Sequence, residues 1–410
     1  MASAPTLATR LAIFKYYPFI WENTMAANSL LGFPWVLPAL HLVLPVGLSF
    51  HTFQAMSYTI EVYRGNQEPE RDFWVYALYV MFYPQLVAGP IERPQNLLPQ
   101  FKLMHHFDYA RVTSGLRRMA WGMFKKVVVA DRLAVVVDLV YDNARGYHGL
   151  ALIAATVLFG FQIYLDFSAY SDIALGSAKV MGFDLMENFR TPYFSRSVGE
   201  FWRRWHISLS TWFKDYVYVP LGGSRTNAAR HYRNLLIVFM LSGLWHGASW
   251  TFVIWGALHG LYLICGVVTA RFRQRIWDRL LGDRSAGVRQ VTGILCTFAL
   301  VSFAWIFFRA RDTDTALYIV RHLFSGLGGD LSTLVATRGM DFQVPGVTPR
   351  LALMAFVLAV EWLAPSWNRL DEVVRRIPLP LRHALYLAVV YGTIFGVTAG
   401  STQQFIYFQF

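Results

Sequence analysis

Residues Asn234 to Ala270 read NLLIVFMLSGLWHGASWTFVIWGALHGLYLICGVVTA and contain no Asp, Glu, Lys or Arg. A charge-free run of this length predicts a segment inside a lipid bilayer. The run nevertheless carries two histidines, His246 and His259. An ionisable side chain at membrane depth is costly, and it therefore indicates a functional site. Because histidine exchanges protons near neutral pH, this stretch favours proton-transfer chemistry.

The composition of the whole chain agrees with a membrane location. Its 410 residues are 55% hydrophobic and only 15% charged, and the mean hydropathy is +0.36. Because soluble domains carry about 25% charged residues, we predict an all-α polytopic membrane protein. The net charge of +12 is explained by Arg-rich cytoplasmic loops, so nucleic acid is not an expected partner.

Several familiar signatures are missing from the sequence. Cys265 and Cys296 lie in apolar runs, and no Cys/His spacing suggests a metal site, so we expect free, buried thiols. The chain also has no GxSxG nucleophile motif, no P-loop and no GxGxxG motif. Serine-hydrolase chemistry, ATP-driven transport and dinucleotide chemistry therefore lose support.

Further apolar runs predict roughly eight to ten membrane segments, some of them broken or re-entrant. We expect residues 1–410 to form one integral membrane domain. The loops Arg271 to Arg289 and Arg369 to Arg382 are rich in Arg, which predicts that both are cytoplasmic. The segment Arg309 to Arg350 has a more balanced charge and is predicted to lie outside, as is the C-terminus after one final crossing.

The segment Gly199 to Gly223 contains a possible site. Four apolar side chains recur there at helical spacing and form an aromatic stripe: Trp202, Trp205, Leu209 and Trp212. His206 lies one helical turn from Trp202 and from Ser210. One interpretation is an interfacial amphipathic helix with a Trp belt. The other is a basic entrance for an anionic donor, with His206 facing the reaction centre and positive charge supplied by Arg203, Arg204, Lys214 and Arg225.

Two further motifs carry polar residues in apolar surroundings. In LSGLWHG, Gly243 and Gly247 would allow a helix to bend around His246, although a purely structural hydrogen bond to a neighbouring helix is the alternative. His259 would lie on a different face of a straight helix, and we expect it to be structural. In YLDFSAYSDIALG, the polar residues would orient a histidine, line a tunnel or mark the membrane interface; they are Asp166, Ser168, Ser171 and Asp172.

Taken together, these motifs resemble the membrane-bound O-acyltransferase family. FWRRWHISLSTWFKDYVYVPLGG followed by LSGLWHG is similar to its signature, and the likeness is strongest to the bacterial alginate O-acetyltransferase-like branch. Other blocks that match are FYPQLVAGPIERPQNLLPQ, QIYLDFSAYSD, ENFRTPY and the terminal FIYFQF. Members usually begin with further hydrophobic segments, whereas the fifteen residues MASAPTLATRLAIFK precede Tyr16 here. The chain is therefore expected to lack the usual first N-terminal segments.

The resemblance implies a fold, an activity and a cellular setting. It implies a ring of transmembrane helices around a central tunnel, with re-entrant and interfacial helices, in the bacterial inner membrane. His246 would be the catalytic histidine and His206 the second signature histidine. An acetyl group would leave a cytoplasmic thioester, acetyl-CoA, and reach a cell-surface polysaccharide through a periplasmic or extracellular acyltransferase partner. Besides membrane lipid, no bound cofactor and no metal are expected.

Elementary chemistry agrees with this activity. A hydroxyl attacks well only after a base removes its proton, and neutral His246 would be that base. The imidazole of His206 or backbone N–H groups near the glycines would stabilise the negative charge on the carbonyl oxygen. Arg203, Arg204 and Lys214 would attract the phosphates of coenzyme A.

The C-terminal FIYFQF suggests an acyl relay. The resemblance implies that Tyr407 accepts the acyl group, although an aromatic anchor for the last helix is an equal alternative. A non-enzymatic transporter or channel, or an inactive scaffold of a polysaccharide-modifying complex, is the alternative to an enzyme.

Overall fold

The computed structural model describes residues 4–33, 38, 40, 47–281, 286–337, 347–398 and 405. Helices make up all of the regular structure within these ranges, which confirms the prediction of an all-α protein. The α-helices are α1 Ala4–Leu31, α2 Leu48–Tyr63, α3 Phe73–Met81, α4 Pro94–Phe101, α5 Tyr109–Phe124, α6 Asp131–Tyr141, α7 Gly149–Met181, α8 Val198–Arg204, α9 Ile207–Phe213, α10 Ala228–His246, α11 Trp250–Val268, α12 Ala270–Leu281, α13 Ala286–Arg309, α14 Thr313–His322, α15 Leu327–Thr337, α16 Val347–Leu363, α17 Trp367–Arg376 and α18 Leu379–Thr398.

Three of these helices, α7, α11 and α13, are long and apolar enough to cross a membrane. A fourth crossing is obtained if α16 and α17, which meet at 91°, count as one bent span. This number, taken over the described ranges, is lower than the eight to ten segments predicted. Length explains only part of the difference: α2 has 16 residues, but α1, α10 and α18 have 28, 19 and 20 residues and are not apolar enough to count.

Helix α7 is the central element of the protein and is buried along most of its length. Its neighbour α5 approaches it at two small residues. A Cβ added to Gly115 would lie 2.7 Å from the carbonyl oxygen of Gly176, and one added to Gly122 would lie 2.7 Å from that of Ala169. Glycines at these positions allow the two backbones to approach closely. The basic residues of α5 are thereby brought against the polar end of α7.

The charge-free run from Asn234 to Ala270 is a helical hairpin rather than one straight helix. Helix α10 ends at His246, and α11 begins at Trp250 after Ser249, whose side chain accepts the N–H of Thr251 as an N-cap. The predicted bend at the LSGLWHG motif is therefore confirmed. The expectation that His246 and His259 lie on different faces of one straight helix is wrong, because the chain reverses between them.

The aromatic stripe of residues 199–223 also crosses a break. Helix α8 ends at Arg204 and α9 starts at Ile207, and all four stripe residues are buried. An interfacial helix with a Trp belt is thus the wrong interpretation, because these rings pack inside the protein.

Cys265 and Cys296 are free as expected, but they are exposed rather than buried. An apolar sequence in a membrane protein also covers its outward-facing surface, since lipid is as apolar as a core.

Candidate active site

His246 occupies the last position of α10, at the tip of the hairpin. Its side chain is buried, with 6% of the residue exposed. Its imidazole packs edge-on against Trp255 of α11 and Phe308 of α13, with ring centroids 5.1 and 5.2 Å apart. The ammonium group of Lys15 on α1 donates a hydrogen bond to the backbone carbonyl of His246 at 3.1 Å. Three helices and the hairpin turn therefore fix the position of this histidine.

His206 lies at the break between α8 and α9 and is fully buried. Its backbone has φ 42°, a left-handed conformation that is costly for a residue with a side chain and that is concentrated at functional sites. Asn188 stabilises this conformation from a separate segment. Its backbone carbonyl accepts the N–H of Ile207 at 2.9 Å, and its side-chain Oδ1 lies 3.1 Å from Nδ1 of His206. The same Oδ1 accepts the N–H of Ser208 at 3.3 Å.

Trp245 brings the two predicted catalytic histidines into one site. Its ring centroid lies 4.9 Å from that of His246 and 6.2 Å from that of His206. Phe50 of α2 closes the same space, stacking against His206 and meeting Trp245 edge-on. Although 40 positions separate the histidines in the sequence, a single indole contacts both.

His259 has a different environment from the other two histidines. Its Nδ1 accepts a hydrogen bond from Nε1 of Trp202 at 3.2 Å, and its ring packs against Trp255 at a centroid distance of 4.9 Å. The indole N–H of Trp202 thus has a buried partner, as a satisfied polar group requires. This geometry agrees with a structural role for His259.

The polar residues of α7 form a buried network of ion pairs with α5 and with the π-helical segment Lys125–Ala130. Asp172 pairs with Arg118 at 2.8 Å and with Lys125 at 2.7 Å. Lys125 also donates a hydrogen bond to Ser168 at 2.8 Å, and Asp166 pairs with Lys126 at 2.8 Å. Short π-helical segments occur frequently at functional sites. In this protein the segment presents two adjacent lysines to the carboxylates of α7.

A cavity of about 400 Å³ lies next to this network. Its wall includes Arg118, Lys125 and Asp172, together with Asn188, which contacts His206 on the other side. Glu361 of α16 also lines the cavity and accepts a hydrogen bond from the hydroxyl of Tyr164 at 2.5 Å. Asn188 therefore connects the wall of a charged cavity to the imidazole of His206.

The three predicted donor-binding residues do not form one cluster. Arg204 pairs with Glu200 at 2.6 Å and lines a second cavity, which shares Glu361 with the first. Arg203 and Lys214 are exposed, on α8 and on the π-helical segment Lys214–Tyr218 respectively. Of the three residues, Arg204 is the one beside the charged cavity.

Tyr407 lies outside the described residues. Phe405, two positions before it, is described and packs against Tyr170 and Phe167 of α7, with ring centroids 5.0 and 6.2 Å apart. Phe167 in turn lies 4.6 Å from the ring of His206. This part of the C-terminal FIYFQF motif is therefore close to the site.

Several residues of the site were not singled out from the sequence. Asn188 belongs to the quoted ENFRTPY block, yet nothing in the block indicates that its side chain reaches His206. Arg118 and Lys15 were missed because their partners lie 54 and 231 positions away, beyond any local periodicity. A charged residue flanked by apolar ones, as Lys15 is in AIFKYY, was the one available signal.

Comparison with known proteins places these features in a family. Residues 72–304 match the membrane-bound O-acyltransferase family, MBOAT. The chain is 36% identical to a probable alginate O-acetylase of Pseudomonas putida over 98% of its own length and 82% of that protein. It is 40% identical to a probable alginate O-acetylase of Azotobacter vinelandii over 82% of its length, and 35% identical to a peptidoglycan O-acetyltransferase of Helicobacter pylori over 78%.

The last two alignments cover 64% and 63% of those relatives, so the chain spans less than two thirds of their lengths. The match to the family nevertheless includes α3 to α11 and most of α13, and with them both His206 and His246. Several relatives agree on the same chemistry, O-acylation. This chain belongs to the membrane-bound O-acyltransferase family.

Proposed function

We propose that this protein takes an acetyl group from a cytoplasmic thioester, acetyl-CoA, and passes it through the membrane for O-acetylation of a cell-surface polysaccharide such as alginate. Family membership makes the chain an O-acyltransferase and a multi-pass membrane protein. The relatives named as alginate O-acetylases and as a peptidoglycan O-acetyltransferase support acetyl as the acyl group and a polysaccharide as the acceptor. A bacterial inner-membrane location is part of the same proposal.

The observation that carries the proposal is an unbroken series of contacts through the protein. The charged cavity contacts Asn188, Asn188 contacts His206, and Trp245 contacts both His206 and His246. These packed side chains link the cavity to the catalytic histidine, and they would have to move apart for an acyl group to pass between them. We propose that the helices around α7 form a ring around this path.

The positions of the helix ends support a direction for the transfer. The cavity is lined by residues 364–368 and by Leu370, at the start of the predicted cytoplasmic loop Arg369 to Arg382. His246 packs against Phe308 in the last turn of α13, and α13 starts beside the other predicted cytoplasmic loop. A crossing helix has its ends on opposite sides, so the path from the cavity to His246 leads away from the cytoplasm.

His246 would act as the general base at the outer end of this path. It takes the proton of the acceptor hydroxyl while the hydroxyl oxygen attacks the carbonyl carbon of the thioester. The tetrahedral intermediate then expels the thiolate of coenzyme A, which takes up the proton that His246 holds. The products are an O-acetyl ester and free coenzyme A, so His246 regains its neutral form without a metal or redox step.

The carbonyl oxygen of the thioester needs a hydrogen-bond donor as it becomes negative. Trp245 supplies a candidate, because its indole N–H is buried and has no hydrogen-bond partner among the described residues. Indole nitrogen is a donor only, and this ring contacts both histidines. We propose that Trp245 donates to the carbonyl oxygen.

The donor would enter through the cavity beside α7. Arg204 lines the second cavity and would contact a phosphate of coenzyme A there. Arg203 and Lys214 would add positive charge at the protein surface. Asp166, Ser168 and Asp172 would hold the lysines of the π-helical segment in place along the entry path. In the cavity wall, Arg118 and Lys125 are paired with Asp172 and Glu187, so these two cations do not make the entry strongly positive.

Tyr407 stays a proposed acyl relay, with a periplasmic or extracellular acyltransferase as the partner that receives the group. The proximity of Phe405 to the aromatic cluster around His206 supports this order of events. Mass spectrometry of the C-terminal peptide during turnover tests it. Acetyl on Tyr407 is expected, and product formation without any acetylated Tyr407 would eliminate the relay.

Acetyl transfer by the purified protein in detergent tests the proposed function. Radiolabelled acetyl-CoA is the donor and alginate oligosaccharides are supplied as acceptors, and label on the protein or on the oligosaccharide is measured together with release of coenzyme A. His246→Gln is expected to lower the rate by roughly 100-fold or more. His259→Gln is the matched control, since it changes a second buried histidine that also contacts Trp255. Transfer by His246→Gln at the rate of the control would overturn the proposal.

A further inference from the structure

The hydrogen bonds of Asn188 determine which nitrogen of His206 carries a proton. Three groups converge on its Oδ1: the backbone N–H of Ser208 at 3.3 Å, the hydroxyl of Ser208 at 3.0 Å and Nδ1 of His206 at 3.1 Å. The Nδ2 of the same amide donates to the hydroxyl of Ser171 at 3.2 Å. All four groups of this network are buried.

The orientation of the amide follows from one of these partners. A backbone N–H can only donate, so the atom of Asn188 that faces Ser208 N–H must be the carbonyl oxygen. Rotating the amide by 180° would point its NH₂ group at that N–H and leave two buried donors facing each other. The hydroxyl of Ser171 fits this orientation, because a hydroxyl can accept from Nδ2.

The orientation of the amide fixes the tautomer of the imidazole. The hydroxyl of Ser208 lies 3.5 Å from Nδ1 of His206 but only 3.0 Å from Oδ1 of Asn188, to which it donates. Because the acceptor Oδ1 lies closer to Nδ1, at 3.1 Å, Nδ1 is the donor and carries the hydrogen. In a neutral imidazole the other nitrogen, Nε2, then holds the lone pair. The rings that surround His206 are apolar or aromatic and come from α2, α7 and α10: Phe50, Phe167 and Trp245.

We propose that Asn188 is a positioning residue that holds His206 as the Nδ1–H tautomer, so that Nε2 faces the reaction path as a hydrogen-bond acceptor. The inference rests on the proposed acyl transfer. It excludes the role in which neutral His206 donates from Nε2 to the thioester carbonyl. His206 instead accepts an N–H or O–H from the substrates, while the indole of Trp245 is the donor to the carbonyl oxygen.

Asn188 also connects His206 to the cavity and to the start of α9. Asn188 lines the charged cavity, and its backbone carbonyl also holds the first residue of α9 through Ile207 N–H. A single residue therefore sets the ring orientation, the protonated nitrogen and the left-handed backbone of His206. Sequence spacing does not show this, because Asn188 lies 18 positions before its histidine.

Nitrogen NMR of the reconstituted protein tests the tautomer directly. In protein labelled with ¹⁵N-histidine, the signals that disappear in His206→Asn belong to His206. We expect a protonated Nδ1 and an unprotonated Nε2 in the wild type, and partial or full conversion to the Nε2–H form in Asn188→Leu. A wild-type His206 with its hydrogen on Nε2 would overturn the inference whatever the activity of the protein.

Kinetics of two variants of Asn188 and one control variant test the function of this amide. Asn188→Leu keeps the approximate side-chain shape without the acceptor, and kcat is expected to fall by roughly 100-fold with a KM within a few-fold of wild type. Asn188→Asp keeps the acceptor oxygens and is expected to retain at least about a tenth of the wild-type kcat. Ser177→Ala, which removes a buried hydroxyl of α7 that donates to the backbone carbonyl of Ala174, is the control and is expected to stay within about threefold.

Two outcomes of these measurements would contradict the inference. One is Asn188→Leu with the kcat of the control variant Ser177→Ala. The other, which applies even if Asn188→Leu does not fold, is Asn188→Asp falling to the activity of an enzyme without His206. His206→Asn adds a check, because its amide can still donate to Asn188 but has no counterpart of Nε2. We expect it to be inactive, and wild-type activity in it would reduce His206 to a packing residue.

These results are separable from the proposed function itself. Wild-type acetyl transfer that is lost in His246→Gln supports the acyltransferase assignment whatever Asn188 does. If that transfer is observed and the Asn188 variants behave like wild type, the positioning role alone is wrong.

Discussion

The ammonium group of Lys15 lies 3.1 Å from the backbone carbonyl of His246 and donates a hydrogen bond to it. A second hydrogen bond goes to the carbonyl of Trp245. Both carbonyls belong to the last turn of α10, where no intrahelical N–H can reach them. A cation at this end also interacts favourably with the helix dipole. Helix α1 therefore fixes the end of α10 from which the predicted catalytic side chain projects.

Removal of this cation is expected to impair catalysis more than folding. Lys15→Met nearly keeps the length of the side chain but removes the ammonium group. The two carbonyls then lose their donor, so His246 is held less firmly. We expect kcat to fall by about 10-fold, with Lys15→Arg intermediate between Met and wild type. Rates of acetyl transfer at saturating acetyl-CoA measure the effect, and an unchanged kcat in Lys15→Met would show that this contact has no catalytic role.

Close packing of the hairpin predicts an asymmetry between two glycines of α11. A Cβ on Gly256 would overlap the backbone carbonyl of Phe239 in α10, whereas nothing lies within 4 Å of a Cβ on Gly266. Gly256→Ala is therefore expected to lower the free energy of unfolding by about 1–3 kcal/mol. Gly266→Ala is the matched control in the same helix and is expected to be neutral or stabilising by up to about 1 kcal/mol. Thermal unfolding in detergent compares them, and equal Tm values would contradict the packing.

The buried ion pairs of α7 are expected to be necessary for folding. Asp172→Asn leaves the nearly inaccessible Lys125 without this carboxylate, while Arg118 keeps its second partner, Glu187. Breaking a buried pair in this way costs about 3–5 kcal/mol. Glu372→Gln removes an exposed partner of Arg376 and should cost at most about 1 kcal/mol. Unfolding midpoints that shift equally in both variants would mean that solvent screens the pair with Asp172.

The indole N–H of Trp245 is expected to act in the transition state. Trp245→Phe keeps an aromatic ring between the histidines but removes the donor, and kcat is expected to drop by roughly 100-fold with little change in KM. Trp212→Phe is the control, since its N–H donates to Ser57 at 2.9 Å, away from both histidines. A kcat for Trp245→Phe equal to that of the control would mean that a group other than Trp245 donates to the carbonyl oxygen of the thioester.

Much of this site was predictable from the sequence, because its polar residues stand out in apolar surroundings. His246 and His206 were singled out in that way, and the glycines around His246 indicated the bend that ends α10. The hairpin itself was not predicted, since a charge-free run is equally compatible with one long helix or two packed ones. The spacing of Trp202, Trp205 and Trp212 predicts one continuous helix, because the helical period continues across the break at His206.

The partners of the polar residues could not be predicted by the same means. Asp166 and Asp172 were identified as candidates, but their lysines and Arg118 lie on α5 and the π-helical segment. Which side chains meet across helices depends on packing, and packing depends on the close approach at Gly115 and Gly122. The prediction that Cys265 and Cys296 are buried is wrong for a related reason. Hydrophobicity does not distinguish a core-facing position from a lipid-facing one.

The most direct test of the account is whether the acetyl group crosses the membrane. Alginate oligosaccharides are trapped inside proteoliposomes, and radiolabelled acetyl-CoA, which does not cross lipid, is added outside. We expect label inside vesicles that contain the wild type, on the C-terminal peptide or on the oligosaccharide, and none with His246→Gln. Labelling that occurs only when acetyl-CoA and oligosaccharide are on the same side would contradict a path that leads from the charged cavity through His206 to His246.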